Sequence, residues 1–463
     1  MAAGPRRGRT GRLAAVGALL AVVAAGVLLG PGGVRPVRSE VPGHEPVNLW
    51  QFQELAVKAD PSNPNTWDWT AAISAAIAHC RGLASWRYPV GTGGAHRSLG
   101  LPALYIPRGI YRNTATHLLE YVHGFTIRGD GKGATVIQHE GAGYLFDIQR
   151  SGALDFEGFT VNGVAPTGPV GGLRGLVEGS GAFRFRQSSR DPVPGAGTTW
   201  QNHVAVEVNE VHRAFRFDGD QMTDALVVDR YHGRDNFIDF DYANSQAVNH
   251  QLNGGEVTYG VSFPNSDYAA RLATWTSKPR LEDGAVFNVA SGGQVTVTGG
   301  SVIARKPTLY FHTPPQDGSH GATSNITGYS FTGTRWEVRR HDPARDRFGL
   351  ARVTMVRYAS PFPTAARVQP SVRFSACDWV VMTPTVDLFY LANAVRIYAQ
   401  SSRVFYAAAG STARLVTLVN GSTPAIKGTY RSWGTTPLTR AKKAAPGYTA
   451  PSTLDQQVTM PPA

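Results

Sequence analysis

The chain has 463 residues, of which 42% are hydrophobic, 10% aromatic and 17% charged, with 52 Gly, 30 Pro and 2 Cys. A charged fraction below the usual ~25% and a glycine share above the usual ~7% exclude a coiled coil and a charge-rich disordered chain. Two cysteines exclude a disulfide scaffold and a four-cysteine zinc module. Abundant glycine beside β-branched and aromatic residues indicates a β-rich fold with many turns.

The formal net charge of +12 is concentrated at the start of the chain. Residues 1–40 carry six Arg and one Glu, which supply five of these charges. The remaining mild excess forms no basic stripe, so we expect no nucleic-acid partner.

An uncharged run from Leu13 to Val34 follows the first four arginines. A basic segment before an apolar run is typical of an export signal, and we favour a signal that is cleaved. An uncleaved membrane anchor with its arginines on the cytoplasmic side is the alternative. Either way, residues 1–40 place the body of the protein outside the cytoplasm, secreted or membrane-anchored. Residues 41–59, without periodicity, are predicted to be a linker.

The first predicted element is a helix over Trp67–Arg81. Its apolar residues recur at i, i+3, i+4 and i+7 from Trp69 to Cys80, which is the spacing of one buried helix face. Gly82 ends the helix.

Beyond the helix the pattern changes to short apolar strands closed by Gly, Asn or Asp. The segment Gly124–Gly131 alternates apolar and polar residues, Gly158–Gly163 repeats it 34 residues later, and Gly328–Gly333 is a third copy. Recurring short strands with glycine-closed turns favour a solenoid whose rungs pack on one another. A β-sandwich or propeller is the alternative.

Residues 60–165 resemble the opening of the pectate-lyase-like right-handed parallel β-helix superfamily, which includes polysaccharide lyases, glycoside hydrolases and phage tailspikes. The superfamily's helix pattern D-D-T-x-A-[IL]-x-x-A-[IL] is matched by D-W-T-A-A-I-S-A-A-I from Asp68, with Trp69 replacing the second Asp. Its next strand ends in I-P-x-G-x-Y, which matches Ile106–Tyr111. The resemblance implies an all-β, right-handed parallel β-helix over residues 60–435 with an N-terminal capping α-helix. An irregular tail over 436–463 would follow.

The resemblance leaves the activity open, because this superfamily hosts many chemistries and some members with none. The N-T-D, D-D, G-H-G series of polygalacturonases and the Asp-Pro-His motif of alginate epimerases are absent from the sequence.

The two cysteines test the fold. Cys80 lies on the capping helix and Cys377 near the other end, roughly ten rungs of ~4.8 Å away. A disulfide requires Cα atoms within ~7 Å, so we predict two separate thiols.

Two acidic segments, Phe215–Asp220 and Phe237–Asp241, form the main candidate site. If they stack with an offset of 21 residues, Asp218 lies over Asp239 and four carboxylates share one solvent face. The candidate catalytic residues are Asp218, Asp220, Asp239 and Asp241, with Arg216 and Phe237 beside them as substrate contacts.

Such a cluster suits glycan cleavage. Neighbouring rungs are ~4.8 Å apart and alternate residues ~6.6 Å apart, which lie near the ~5–5.5 Å carboxyl separation of retaining glycosidases and within the ~6.5–9.5 Å range of inverting ones. The same oxygens can hold Ca²⁺, which in a lyase would acidify a uronate, with Arg230 or Arg234 as base. The alternative is that these residues are turn signals and ordinary exposed carboxylates.

The segment Asp229–Asn236 supplies the remaining candidates. His232 is a candidate general base, and Arg234 and Asp235 are candidate substrate contacts. The alternative for His232 is a structural or merely exposed loop residue.

The sequence therefore predicts an exported, polysaccharide-active β-helix protein that cleaves a glycan by hydrolysis or β-elimination. A non-catalytic glycan-binding or adhesive surface protein is the alternative. We expect no cofactor, or Ca²⁺ if the protein is a lyase.

Overall fold

The structure is a computed structural model. It describes residues 45–90, 95–187, 197–244, 246–259, 265–279, 283–304, 306–311, 328–338, 353–358, 371–381, 386–391, 396–406, 414–418, 425–433, 442–443 and 454–458. The predicted export signal or anchor lies outside the described residues. Among the described helices, none has the length and apolar character needed to cross a bilayer.

The chain is a parallel β-helix, as the resemblance implied. Each rung contributes one strand to each of three sheets, and each strand pairs in parallel with the equivalent strand of the next rung. The first sheet contains Leu104–Ile106, Val122–Gly129, Gly152–Glu157, Thr199–Val204, Leu226–Asp229, His250–Asn253, Gln294–Thr298, Gly328–Thr332 and Ser371–Ser375.

The second and third sheets follow the same order along the chain. The second contains Gly109–Asn113, Thr135–His139, Thr160–Gly163, Glu207–Asn209, His232–Arg234, Glu256–Tyr259, Ser301–Ala304, Arg335–Val338 and Asp378–Val381. The third contains His117–Glu120, Tyr144–Gln149, Gly181–Gln187, Arg213–Gly219, Ile238–Ala243, Ala285–Ser291, Leu309–Phe311, Val353–Tyr358, Val386–Leu391, Arg414–Leu418 and Lys442–Lys443.

Three further strands pair at the end of the described part of the solenoid, and the first two are longer than the strands before them. Arg396–Tyr406 pairs with both the first and the second sheet, Ala425–Trp433 pairs with it, and Leu454–Val458 pairs with Ala425–Trp433. Two of the described strands, Lys442–Lys443 and Leu454–Val458, fall in the predicted irregular tail and continue the sheets instead.

The interior is filled by ladders of identical side chains. Phe146, Phe183, Phe215, Phe240 and Phe287 occupy equivalent positions on successive third-sheet strands, with ring centroids 5.9, 5.1, 4.9 and 5.2 Å apart. In-register parallel pairing repeats each side-chain position at the rung spacing, which brings like rings into stacking contact.

The predicted capping helix is confirmed as α1, Thr70–Gly82, which buries Ala72, Ile73, Ala76, Ile77 and Cys80. It begins three residues later than predicted because Asp68 pairs with the backbone of Val57 and its side chain accepts from the Thr70 amide. Covering the open end of a β-helix removes an unpaired edge.

Part of the predicted linker packs on this cap. Val47–Asn48 pairs in parallel with Leu104–Ile106, and the 3-10 helix Leu49–Leu55 brings Trp50 to within 5.3 Å of Trp69, between ring centroids. A further 3-10 turn spans Pro64–Thr66, and Trp86–Val90 pairs antiparallel with Ala95–Leu99.

The prediction of two separate thiols is confirmed, since Cys80 and Cys377 are both free and buried. A second helix, α2, spans Asn265–Leu272. The sequence pattern did not reveal it.

Candidate functional site

The predicted register of the two acidic segments is wrong. Phe215 pairs with Phe240 and Arg216 with Asp241, an offset of 25 residues, so Asp218 does not lie over Asp239. The cause is Phe237, which sits at the corner before the strand and packs its ring on Trp275, 5.3 Å away between centroids. Phe240 therefore takes the position in the interior ladder.

Asp239 faces the interior and not solvent. Its carboxylate forms an ion pair with the fully buried Lys306, 2.9 Å away, and accepts hydrogen bonds from Tyr231 and Asn236. Lys306 also donates to the backbone oxygen of Asn236 at 2.8 Å. Burial lowers the pKa of Lys306, and the neighbouring Asp239 opposes that shift.

Asp218 and Asp241 lie on the outer surface of the third sheet, each held by arginines. Arg216 reaches both carboxylates, at 2.7 and 2.5 Å, and Arg213 lies 2.6 Å from Asp241. Burial alone would raise the pKa of Asp241, but Arg216 and Arg213 hold it below its ordinary value. A carboxylate kept ionised in this way does not suit the role of catalytic acid.

The four aspartates do not form the predicted cluster. Asp220 lies beyond the end of the strand Arg213–Gly219, where its amide donates to the Gln187 oxygen. Among the described residues, no group of three or more His, Cys, Asp or Glu side chains is placed to hold a metal ion. Because three of the four carboxylates face Arg or Lys, they do not fit a Ca²⁺ site, and we derive no step through calcium.

The other predicted residues are divided between the second sheet and its corners. His232 and Arg234 occupy alternate positions of one second-sheet strand. Arg230 is exposed at the preceding corner beside Asp229, and Asp235 is buried at the following corner, where Tyr268 donates to its backbone oxygen.

Two columns of polar side chains run along the outer surface of the second sheet, with small or apolar residues between them facing the interior. One column is Thr160, Glu207, His232 and Glu256, and the other is Gln138, Asn162, Asn209 and Arg234. We call these eight residues the polar strip.

At the centre of the polar strip a histidine lies between two glutamates from neighbouring rungs. The Nδ1 atom of His232 is 3.4 Å from Glu207 Oε1, and its Nε2 atom is 3.9 Å from Glu256 Oε1. Thr160 and Asn209 each donate to Glu207 at 3.0 Å, and Ser301 donates to Glu256 at 3.3 Å. Neither glutamate forms an Arg or Lys ion pair with a described residue.

A polar cleft of about 280 Å³ lies beside these residues. Its floor is formed by the amide column, in which Asn209 Nδ2 donates to Asn162 Oδ1 at 2.9 Å. Its side is formed by the loop 164–180, where Glu210 accepts from the amides of Arg174 and Gly175. The lining residues are Gln138, Asn162, Gly163, Val164, Arg174, Asn209, Glu210 and Arg234.

A second insertion braces this loop. The segment 265–279, which contains α2, leaves the same corner three rungs later, and Trp275 Nε1 donates to the Leu176 oxygen at 2.8 Å. Arg271 donates to Leu173 at 3.1 Å, and Glu178 accepts from the amides of Thr276 and Ser277. We call the two contacting insertions the clasp. It fixes the side of the cleft.

The polar strip has the elements of glycosidic chemistry. Glu207 and Glu256 are two rungs apart, a separation of roughly 9.6 Å between their Cα atoms at ~4.8 Å per rung. Their side chains converge on one histidine, so the carboxyl groups fall near the ~6.5–9.5 Å range of inverting hydrolysis.

The sequence analysis found His232 and Arg234 but missed both glutamates. The signal was present as a repeated triplet, T-V-N at Thr160, E-V-N at Glu207, H-G-R at His232 and E-V-T at Glu256. Aligning these triplets by their central small or apolar residue, and not by aspartate spacing, would have revealed the column.

Neither a family model nor a curated protein matches the chain. Solved structures do. One is ORF18 of Geobacillus virus E2, 11% identical over 89% of this chain and 60% of that chain, with a TM-score of 0.43. Another is the catalytic unit of the thermostable GH87 alpha-1,3-glucanase of Streptomyces thermodiastaticus, 15% identical over 84% and 64%, also with a TM-score of 0.43.

A third is the A-module of the mannuronan C-5 epimerase AlgE6 of Azotobacter vinelandii, 14% identical over 90% of this chain and 99% of that chain, with a TM-score of 0.46. The chain spans less than two thirds of the length of the first two structures. At these identities and TM-scores the likenesses carry no argument about activity.

Proposed function

We propose that the protein binds a polysaccharide along the polar strip and hydrolyses its glycosidic bonds with Glu207 and Glu256. The observation that carries this proposal is the placement of two glutamates, unpaired with Arg or Lys among the described residues, on either side of His232 on an accessible surface. Paired carboxyl groups on one face are what glycoside hydrolysis requires.

The two glutamates differ in their surroundings, which suggests their roles. Glu207 is fixed by hydrogen bonds from Thr160 and Asn209, so it suits the base that takes a proton from the attacking water. Glu256 is more exposed and suits the acid that protonates the departing glycosidic oxygen. Water then adds to the anomeric carbon as the carbon–oxygen bond to the leaving sugar breaks. His232 contacts both carboxyl groups and positions them.

The cleft supplies groups for holding the sugar chain. Amide side chains at Gln138, Asn162 and Asn209 offer donors and acceptors for hydroxyl groups. Arg234 is exposed at the edge of the column, where it can pair with a carboxylate of an acidic sugar. The proposed substrate agrees with the predicted export segment, since such polysaccharides lie outside the cell.

The test is product release from a panel of neutral and acidic polysaccharides. We expect new reducing ends from at least one glycan, without absorbance from unsaturated uronates, and loss of release in Glu207→Gln and Glu256→Gln. Glu54→Gln is the matched control, because Glu54 is exposed on the N-terminal 3-10 helix. Unsaturated products would instead identify β-elimination, and full activity in both glutamine variants would refute the roles of the two glutamates.

A non-catalytic glycan-binding protein is the second candidate. It is favoured by the lining of the cleft, which is rich in amides and, among the described residues, includes neither Glu207 nor Glu256. Binding of a glycan with no product from wild type, and unchanged affinity in Glu256→Gln, would establish this second function.

A further inference from the structure

Four arginine side chains cover part of the outer surface of the third sheet, away from the polar strip. In-register pairing places Arg184 over Arg216 on successive rungs, and Arg186 lies over Asp218. Arg213 begins the same strand as Arg216. We call Arg184, Arg186, Arg213 and Arg216 the arginine patch.

The acidic side chains of this surface lie beneath the arginines. The side chains of Asp147, Asp218 and Asp241 are 11%, 13% and 3% exposed. The four arginine side chains are between 25% and 41% exposed. A ligand approaching the arginine patch therefore meets its guanidinium groups before the carboxylates of Asp147, Asp218 and Asp241.

Hydrogen-bond donors exceed acceptors within the patch. Four guanidinium groups carry about twenty N–H donors, whereas three carboxylates offer about twelve acceptor sites. One of those acceptors is already used by Asn288, whose amide donates to Asp241 at 2.7 Å. Arginine donors therefore remain for an external anion.

The buried carboxylates hold the arginines in place. Asp218 is shared by Arg184 and Arg216, at 3.0 and 2.7 Å, and Arg186 lies 2.9 Å from Asp147. A guanidinium group already fixed in its geometry loses little freedom when it binds a ligand.

An independent observation comes from Tyr144. This side chain is 8% exposed, and its hydroxyl has no hydrogen-bond partner among the described residues. It lies within the electrostatic influence of Arg213 and Arg216, and the Arg184 guanidinium carbon is 6.0 Å from its ring centroid. This hydroxyl accepts no hydrogen bond from the four arginines, so none of their N–H groups is used there.

We propose that the arginine patch binds a polyanionic polysaccharide through its carboxylate or sulfate groups, at a site separate from the polar strip. Guanidinium forks match such oxygens bidentately. Their recurrence at the rung spacing of ~4.8 Å suits a linear chain with regularly spaced charges. Among the residues that the structure describes, the patch presents no exposed aromatic side chain for stacking a base, which favours a glycan over a single-stranded nucleic acid.

The test compares fluorescently labelled dextran sulfate, polygalacturonate and neutral dextran by anisotropy, with the whole chain. Arg184→Gln/Arg186→Gln should bind the charged glycans roughly tenfold more weakly. Arg87→Gln/Arg108→Gln, which removes the same charge from exposed sites near the N-terminal cap, should bind like wild type. Preference for dextran sulfate would assign sulfate as the ligand group, and preference for polygalacturonate would assign carboxylate.

Three outcomes overturn the proposal: equal loss of affinity in the control variant, binding of neutral dextran as tight as that of both charged glycans, or equal affinity for double-stranded DNA. If Arg184→Gln/Arg186→Gln does not fold, glycan binding is measured on Arg184→Lys/Arg186→Lys instead, because lysine keeps the charge but lacks the planar fork of arginine. Weaker binding then supports the site and unchanged binding refutes it. Glu207→Gln should bind the charged glycans at the arginine patch as tightly as wild type does. The result for the patch is therefore independent of whether the proposed hydrolysis occurs.

Discussion

The second and third sheets both carry acidic side chains at outward positions, but they place them in opposite surroundings. On the third sheet the carboxylates of Asp218 and Asp241 lie under arginine side chains, and the resulting ion pairs stabilise that surface. On the second sheet the side chains of Glu207 and Glu256 contact Thr, Asn, Ser and His side chains and, among the described residues, form no Arg or Lys ion pair. The residue stacked one rung away, and not the acidic residue itself, therefore decides whether a carboxylate of this β-helix is available for chemistry.

The sharpest test of this comparison removes one carboxylate charge on each sheet. Glu207→Gln should lower the rate of glycan hydrolysis roughly 10²–10⁴-fold, as expected for loss of a general base. Asp218→Asn should leave the rate close to that of wild type. Initial rates on the best glycan of the panel measure both, and an equal loss in the two variants would erase the distinction between the sheets.

The ion pair between Asp239 and Lys306 lies in the interior, where both side chains are buried. Lys306→Met should lower the free energy of unfolding by about 3–5 kcal/mol, because it leaves the Asp239 carboxylate buried without its partner. Urea denaturation followed by circular dichroism measures the change. Lys306→Met/Asp239→Leu should recover most of the loss, and no recovery would mean that packing, not charge, dominates at this site.

The histidines, like the carboxylates, lie in two different surroundings, the outer surface of the second sheet for His232 and the interior for His203. His203 lies in the core, stacked on Phe156 with ring centroids 4.8 Å apart, and burial lowers its pKa to about 3. The unfolded chain binds a proton here as pH falls below about 6.5, whereas the folded chain does not. Stability is therefore fully present above about pH 6.5 and falls progressively towards pH 3.

His203→Phe should remove the contribution of His203 to this acid sensitivity. Between pH 7 and pH 5 the free energy of unfolding should then fall by about 2 kcal/mol less in the variant than in wild type. Denaturation at both pH values measures it. His79→Phe, at an exposed position of α1, is the control for the loss of one histidine elsewhere in the chain. A wild-type profile that is flat between pH 7 and pH 4 would contradict the prediction.

The smallest expected effect concerns the support of Glu207. Thr160→Val keeps the shape of the side chain but removes the donor to Glu207 and the acceptor for the Gly133 amide. We expect a loss of about 1 kcal/mol in the free energy of unfolding and a several-fold fall in kcat with little change in KM. An unchanged kcat would show that Asn209 alone positions Glu207.

Much of the fold could be predicted because its signals lie within short stretches of the sequence. The apolar spacing in α1 and the glycine-closed segments that start near Gly124 and Gly158 correspond to observed elements. The register between rungs could not be predicted from the sequence, because it depends on the residues at the corners between strands. The predicted register placed Ile238 over Phe217, but Phe237 packs at the corner against Trp275, a residue of an insertion, and Phe240 takes the ladder position over Phe215.

The candidate site was recovered only in part for the same reason. His232 and Arg234 were found through their local chemistry. Glu207 and Glu256 come from other rungs, 25 and 24 residues before and after His232, and only the stacking of strands brings them beside it. A histidine between two glutamates is a property of the register, which no single stretch of sequence contains.

The clasp bears on how the solenoid comes apart. A repeat protein held only by contacts between adjacent rungs frays from its ends, one rung at a time. The hydrogen bond from Trp275 to Leu176 joins residues 99 positions apart and bridges the third rung to the sixth. None of the rungs between them can open without breaking this tie, so we expect them to form a single cooperative unit with the slowest amide hydrogen exchange. All residues of the polar strip except Gln138 lie on these same rungs and would keep their geometry while either end of the helix unravels.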